Sequence, residues 1–403
     1  MVAAVRDLIE FSYLVRRHII SEDDILEIEG CVNRFHENRE VFRECGIRPT
    51  GFSPLPRQHS LVHYSHLIRQ FGAPNGLCSS ITESKHIHAV KKPWRRSSRH
   101  KALGQMLMVN QRIDKLAAAR VDFSARGMLS GSALSLPLAP SESGSLQQGG
   151  QQEEDSDISA TDDTHLPDIM SEVLLSKTYV RNITRNIHHL GHKLHLTRLY
   201  ELTRRYLYNR ESPNDGNSHQ VLLDHCPKFD SRVYVHHSAR AMFYAPSDLC
   251  GIMGMHRERI RVTPSWRGGR PRRDCVFISS SYDNEAEGGG LLDNLLIARV
   301  FLFFSFKIGK VRHQCALVHW FSVDGDCPDP ETGMWMATPD YSDAEKEMEV
   351  ISVDSIFRAA HLIGCAGDTF LPVQGFDDTH SLDAFNLFYV NKYADYHAHE
   401  IAF

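Results

Sequence analysis

The 403-residue chain lacks the cysteine spacings that staple small secreted folds or build zinc ribbons. Its nine cysteines, Cys31, Cys45, Cys78, Cys226, Cys250, Cys275, Cys315, Cys327 and Cys365, include no C-x-x-C pair and are odd in number, a pattern that fits free thiols in a reducing compartment. Long apolar runs are missing too. No stretch approaches the roughly 18 residues needed to cross a bilayer, and Arg6, Asp7 and Glu10 interrupt the apolar N-terminal residues where a signal peptide would be continuous. G-x-S-x-G, the P-loop, the dinucleotide fingerprint and H-E-x-x-H are all absent, which removes the commonest hydrolase, NTPase, dehydrogenase and metalloprotease readings. No repeat recurs at a fixed period. A general excess of positive charge is lacking as well: 45 Lys and Arg against 50 Asp and Glu give a net charge of −5, so any contact with nucleic acid must come from local patches.

What is present divides the chain in three. Residues 1–126 read as helical. Leu8, Phe11, Leu14 and Val15 keep the spacing of one buried helix face, and Ser21 followed by Glu22, Asp23 and Asp24 reads as the N-cap and acidic first turn of a second helix running to about Glu44. Gly46 and the prolines at 49, 54 and 56 end helical structure, and Gln58 to Phe71 resume it. A further helix follows to about Arg126 through Leu103, Met106, Leu107, Ile113 and Leu116. Residues 127–168 are dominated by Ser, Gly, Gln and Pro with late acidic residues, a composition that cannot repay its ordering entropy, and are expected to be a disordered linker. Residues 169–403 are expected to be β-rich after a short helical stretch. Phe229–His237, Asp274–Ser279, Ile297–Lys307, Gln314–Phe321, Met334–Thr338 and Glu349–Val353 carry aromatic and β-branched residues between turn residues, and Ile308–Gly309–Lys310 reads as a hairpin turn. The fold class is α+β, with strands suited to a small barrel or rolled sheet.

Two basic patches carry the candidate chemistry. Between Lys85 and Lys101 there are seven Lys or Arg and no acid; Lys85, Lys91, Lys92, Arg95, Arg96 and Arg99 are candidates for DNA phosphates. Glu83 precedes this run and reads either as a metal-ligating carboxylate or as a first-turn helix residue. The second patch, MHRERIRVTPSWRGGRPRRD, offers Arg257, Arg259, Arg261, Arg270, Arg272 and Arg273, with Trp266 available for stacking, or else a strand whose arginines face water. His188, His192 and His195 have helical spacing but no neighbouring Cys or carboxylate, which favours a packed or solvated face over zinc. His397 and His399 read as packing or cap residues of a closing helix.

The segment SLVHYSHLIRQFGAPNGLCSSITESKHIHAVKKPWRRSSRHKALGQMLMVNQRIDKLAA resembles the end of the catalytic region of Plavaka-type (CACTA-like) fungal transposases. YAPSDLCGIMGMHRERIRVTPSWRG, CALVHWFS, DPETGMWMATPD and FYVNKYADYHAHE resemble the C-terminal tail of the same family. The resemblance implies that the helices are the remnant of an RNase H-like nuclease core whose acids hold divalent metal, Mg or Mn, with Glu83 as the last acid of the set. The strands and aspartates expected to precede this region are not found in the sequence, so the expectation is a truncated or domesticated transposase-like protein, or a gene-model fragment, that binds DNA without a complete metal site and needs no metal by itself. An uncovered apolar face on residues 8–15 is part of that expectation. The order of strands after Ala298 is similar to bromo-adjacent-homology (BAH) and SH3-like barrels, with Trp320, Phe321 and Trp335 either on an aromatic surface or in the core. That similarity implies the alternative of a chromatin or protein-interaction module. DNA and chromatin proteins are thus the expected partners, with no membrane, in the nucleus or cytoplasm.

Overall fold

A computed structural model of the protein describes residues 1–52, 55–77, 86–126, 171–212, 221–248, 254–279, 295–343, 345–367 and 380–402. The expected linker, 127–168, and the residues Glu83 and Lys85 lie outside the described residues. Contacts gather the chain into two compact units, Met1–Leu77 with Asp168–Phe403 and, separately, Cys78–Pro167. The sequence suggests a boundary after residue 126; the contacts instead join the first 77 residues to the β-rich half, through ion pairs that no local pattern announces.

The larger unit opens with α1 (Val2–Leu14) and α2 (Glu22–Asn38). Ser21 caps α2 in a reciprocal capping box with Asp24, whose backbone N–H bonds the Ser21 hydroxyl while the Asp24 side chain accepts from the Ser21 backbone. The helix ends at Asn38, and a separate short turn, Val41–Glu44, follows it. The apolar face of α1 is not left uncovered. Phe11, Leu14 and Val15 pack with Ile25, Ile28, Cys31 and Val32 of α2 and with Ile68 of α3 (Tyr64–Phe71), while Leu8 is 38% exposed. Burial of each such side chain contributes about 1.5–3 kcal/mol.

The same helix buries Asp7 and Glu10, against expectation for an amphipathic helix. Asp7 is paired with Arg6 beside it and with Arg34 of α2, whereas the partners of Glu10 come from far along the chain. Glu10 is paired with Lys392, accepts from the Tyr393 hydroxyl at 2.7 Å and contacts His399 Nε2 at 2.7 Å. The closing helix α7 (Tyr396–Ile401) therefore holds His397 and His399 inside the protein, hydrogen-bonded rather than capping a surface helix end.

The β-rich half is a nearly closed antiparallel barrel with helices. One sheet takes the order β1 (Ser171–Leu175), β3 (Ser238–Tyr244), β4 (Met255–Thr263), β5 (Arg272–Arg273). The larger sheet runs β13 (Ile356–Ala360), β6 (Cys275–Ser279), β7 (Leu295–Ile308), β8 (Val311–Asp324), β9 (Met336–Pro339), β15 (Phe388–Val390), β14 (Leu362–Gly364), with β2 (Tyr234–His236) on β7 and β12 (Met348–Ser352) on β8. A small hairpin pairs β10 (Tyr341–Ser342) with β11 (Glu345–Lys346). The hairpin expected near Gly309 joins β7 to β8: Ile308 pairs with Val311, and Gly309 has φ +57° at the first loop position, as a type II′ turn requires. Val173, Phe243, Ile260, Ile278, Phe303 and Val318 fill one core between the two sheets. Backbone bonds from Asp274 N to Arg261 O and from Val300 N to Asp274 O, both 3.0 Å, bring β4 and β7 together at one corner.

On the outside of the barrel, α5 (Ile187–Lys193) and α6 (Leu199–Glu211) cover Phe304, Phe306 and Leu317. Gly191, which helix propensity alone disfavours, is required here: a Cβ at this position would lie 2.7 Å from the carbonyl oxygen of Leu196. In the smaller unit, Ile87–Lys91 and Lys92–Arg96 form short helical segments ahead of α4 (Ala102–Ala125). Among the described residues, no helix is long and apolar enough to cross a membrane.

Candidate nucleic-acid interface

The second basic patch becomes an arginine-lined sheet face. Alternation along β4 buries Ile260 and Val262 and turns Arg257, Arg259 and Arg261 to the opposite side, with Arg257 and Arg259 exposed and Arg261 half-buried. Register adds a residue that the patch in sequence does not contain: Arg240 of β3 stands directly opposite Arg259 and shares its face. Like charges directly opposite one another destabilise a sheet, so this strand pair favours an anion laid across it. Glu172 of β1, opposite Met242, is the acid on the same side.

Beyond β4 the chain turns through Trp266. Gly269 N bonds Trp266 O and Trp266 N bonds Arg270 O, each at 2.9 Å, while Arg267 and Gly268 take positive φ. The guanidinium carbons of Arg261, Arg267 and Arg272 lie 4.2, 5.3 and 5.4 Å from the Trp266 ring centroid. The ring is thus engaged by three arginines of the protein itself, which gather around it as a cationic cluster. Asp274 is the nearby counter-ion, bound to Arg272 at 2.6 and 3.2 Å and to the backbone N–H of Arg261 at 2.8 Å. Burial, and after it the charges of Arg272, Arg259 and Arg267, lower the Arg261 pKa against the opposing pull of Asp274. Its Nε is buried without a hydrogen-bond partner.

A cavity of about 800 Å³ opens beside this cluster, lined by Trp266, Arg270, Arg272, Arg273, Arg299 and Asp383 among others. Arg299 reaches it from β7, itself only 5% exposed, and donates to Asp383 at 2.9 Å. Arg273, Arg299 and Lys346 surround the Phe301 ring at 4.7, 5.4 and 5.0 Å. Loss of solvent around Arg273, then the charge of Arg299, lowers the pKa of Arg273. A second cavity of about 380 Å³ shares Arg272, Arg273, Ser381 and Leu382 with the first and reaches Arg259 and Arg358. Arg257, Arg259, Arg261, Arg270, Arg272 and Arg273 are therefore brought together on one sheet and its adjoining turn. Arg240 and Arg299, also part of this surface, were missed because they lie in apolar strands far from the patch. The alternating ARAMFY of β3 was the available signal for Arg240.

The first patch belongs to the other compact unit. Lys91, Arg95, Arg96 and Arg99 are exposed there and Lys92 is half-buried, with Trp94 45% exposed. Among the described residues no group of three or more His, Cys, Asp or Glu could hold a metal ion. His188 packs on Tyr200 with ring centroids 4.0 Å apart, and His195 lies beyond the end of α5 with φ +57°. Trp320 and Trp335 are half-buried and Phe321 is buried; all three line a separate cavity of about 540 Å³.

No family model, curated protein or solved structure matches this chain.

Proposed function

We propose that the protein binds the phosphate backbone of DNA through the arginine face of β3 and β4 and the cleft beside Trp266. The observation that carries this reading is the gathering of Arg261, Arg267 and Arg272 on one indole next to a cavity lined by Arg270, Arg273 and Arg299. Holding so many guanidinium groups together with Asp274 and Asp383 as the carboxylates among them costs repulsion that a polyanion relieves, and each planar fork can meet a phosphate with two hydrogen bonds. The resemblance to Plavaka-type transposases favours DNA as the polyanion. In that reading residues 60–118 correspond to the end of an RNase H-like catalytic region, Glu83 is an acid of its metal-binding set, and the BAH- or SH3-like barrel is the part that grips DNA. One carboxylate does not organise the two metals that strand cleavage uses, so the proposed role is to hold DNA rather than to cut it.

The test is fluorescence anisotropy of a labelled DNA duplex across a salt series. Affinity should fall steeply with salt, and Arg259→Ala combined with Arg240→Ala should flatten the slope of log K against log salt by about 0.9 for each phosphate no longer neutralised. Binding that ignores salt, or the same slope in the double variant, would overturn the proposal.

A further inference from the structure

We infer that the cavity lined by Trp320 and Trp335 receives the cationic side chain of a basic peptide. It has the opposite character to the arginine cleft. Its walls combine the two half-buried indoles with Leu296 and Val323, exposed by 47% and 40%, and with the carboxylates of Asp326 and Asp340. At about 540 Å³ it lies within the size range of small-ligand pockets and has room for one long side chain.

The contrast with Trp266 carries the argument. That indole holds three arginines of its own chain, and Phe301 is surrounded by three cations. Among the described residues, no cation lies over Trp320 or Trp335; Trp320 packs against the core that holds Val300 and Val318, and Trp335 against the core that holds Phe321 and Phe388. The Trp320 Nε1–H is fixed by Glu349 at 3.0 Å, which holds the ring in place. Asp340 accepts from Ser322 N at 3.2 Å and from Ser322 Oγ at 3.0 Å, both neutral donors. Neither Asp340 nor Asp326 is in an ion pair with a described residue. The cavity is therefore lined by two tryptophans and two carboxylates with no cation among its described lining residues. An alkylammonium or guanidinium group satisfies both features at once: its charge meets the carboxylates and the ring quadrupoles, and its aliphatic stem covers Leu296 and Val323. Neither a phosphate nor a purely apolar side chain would do so.

The experiment titrates the full chain with fluorescein-labelled decapeptides of glycine and serine bearing one central lysine, arginine or norleucine, followed by anisotropy. The lysine and arginine peptides should bind and the norleucine peptide should not. Asp326→Asn, an exposed change, should weaken binding by about fivefold with an unchanged melting temperature, and Asp326→Lys should abolish it. Trp335→Ala should abolish it too, but the Asp326 variants carry the test if that protein fails to fold. Equal binding of the norleucine peptide, no saturable binding of any peptide, or indifference to both Asp326 substitutions would overturn the inference. DNA binding should be untouched by Asp326→Asn, so failure here and failure of the nucleic-acid reading are separate results.

Discussion

Glu10 and His399 meet at 2.7 Å across 389 positions of sequence, inside the protein, with the Lys392 ammonium on the same carboxylate. Burial alone would raise the pKa of Glu10; the hydrogen bond with His399 and the charge of Lys392 outweigh it and hold the group at about 2. Glu10→Ala would leave Lys392, 4% exposed, without this carboxylate. Removing one partner of a buried pair costs about 3–5 kcal/mol, so the urea midpoint of this variant should fall accordingly. A loss below about 1 kcal/mol would mean that the cluster does not hold α1 against the barrel.

Stability should drain away in acid in two stages. His397 Nδ1 contacts the Arg358 guanidinium at 2.9 Å, with Asp395 and Glu258 also bound to that arginine. Burial, then the charge of Arg358, pushes the histidine down from 6.5 to about 4, with a smaller push from His256 and an opposing pull from Asp395. The unfolded chain thus takes up a proton that the folded one resists. This contribution is whole above about pH 6.5 and is lost as pH falls toward 4. Glu10, a depressed carboxyl, contributes fully above 4.5 and loses that contribution as pH falls toward 2. Thermal melts from pH 7 to 3 should show both stages, and His397→Gln should flatten the first while leaving the second.

Trp266→Ala should weaken duplex binding by about fivefold to tenfold at fixed salt, because the three arginines lose the surface that gathers them. Trp266→Phe keeps an aromatic face and should retain most of the affinity. If both variants bind as the parent does, the arginines act independently of the ring.

Gly191→Ala should destabilise the protein by about 1–3 kcal/mol even though alanine is the better helix former. The added methyl would press on the Leu196 carbonyl, where the chain leaves α5 for α6. A circular-dichroism melt measures this; a higher melting temperature would show that the turn yields at no cost.

Much of the architecture was legible before the structure. The Ser21–Asp24 cap, the β7–β8 hairpin around Gly309 and the half-buried arginine strand β4 all follow from signals within a few residues of one another. Burial on α1 was read only in part: Phe11, Leu14 and Val15 are inside as expected, but Leu8 is 38% exposed and Asp7 and Glu10 are buried with them. A carboxylate's burial depends on cations that periodicity does not reveal: Arg6 and Arg34 for Asp7 and, close to the other end of the chain, Lys392 for Glu10.

The sequence by itself determined where α2 begins, where β7 turns into β8 and which stretch carries the arginines, because capping, periodicity and turn chemistry act over a few residues. Only the tertiary structure decided that Arg240 joins Arg259, that Arg299 enters the cleft from β7, and that two tryptophans share a cavity with two aspartates. Those outcomes depend on strand register and on contacts between distant segments, whose pairing is selected by the burial of the whole core rather than by any local stretch.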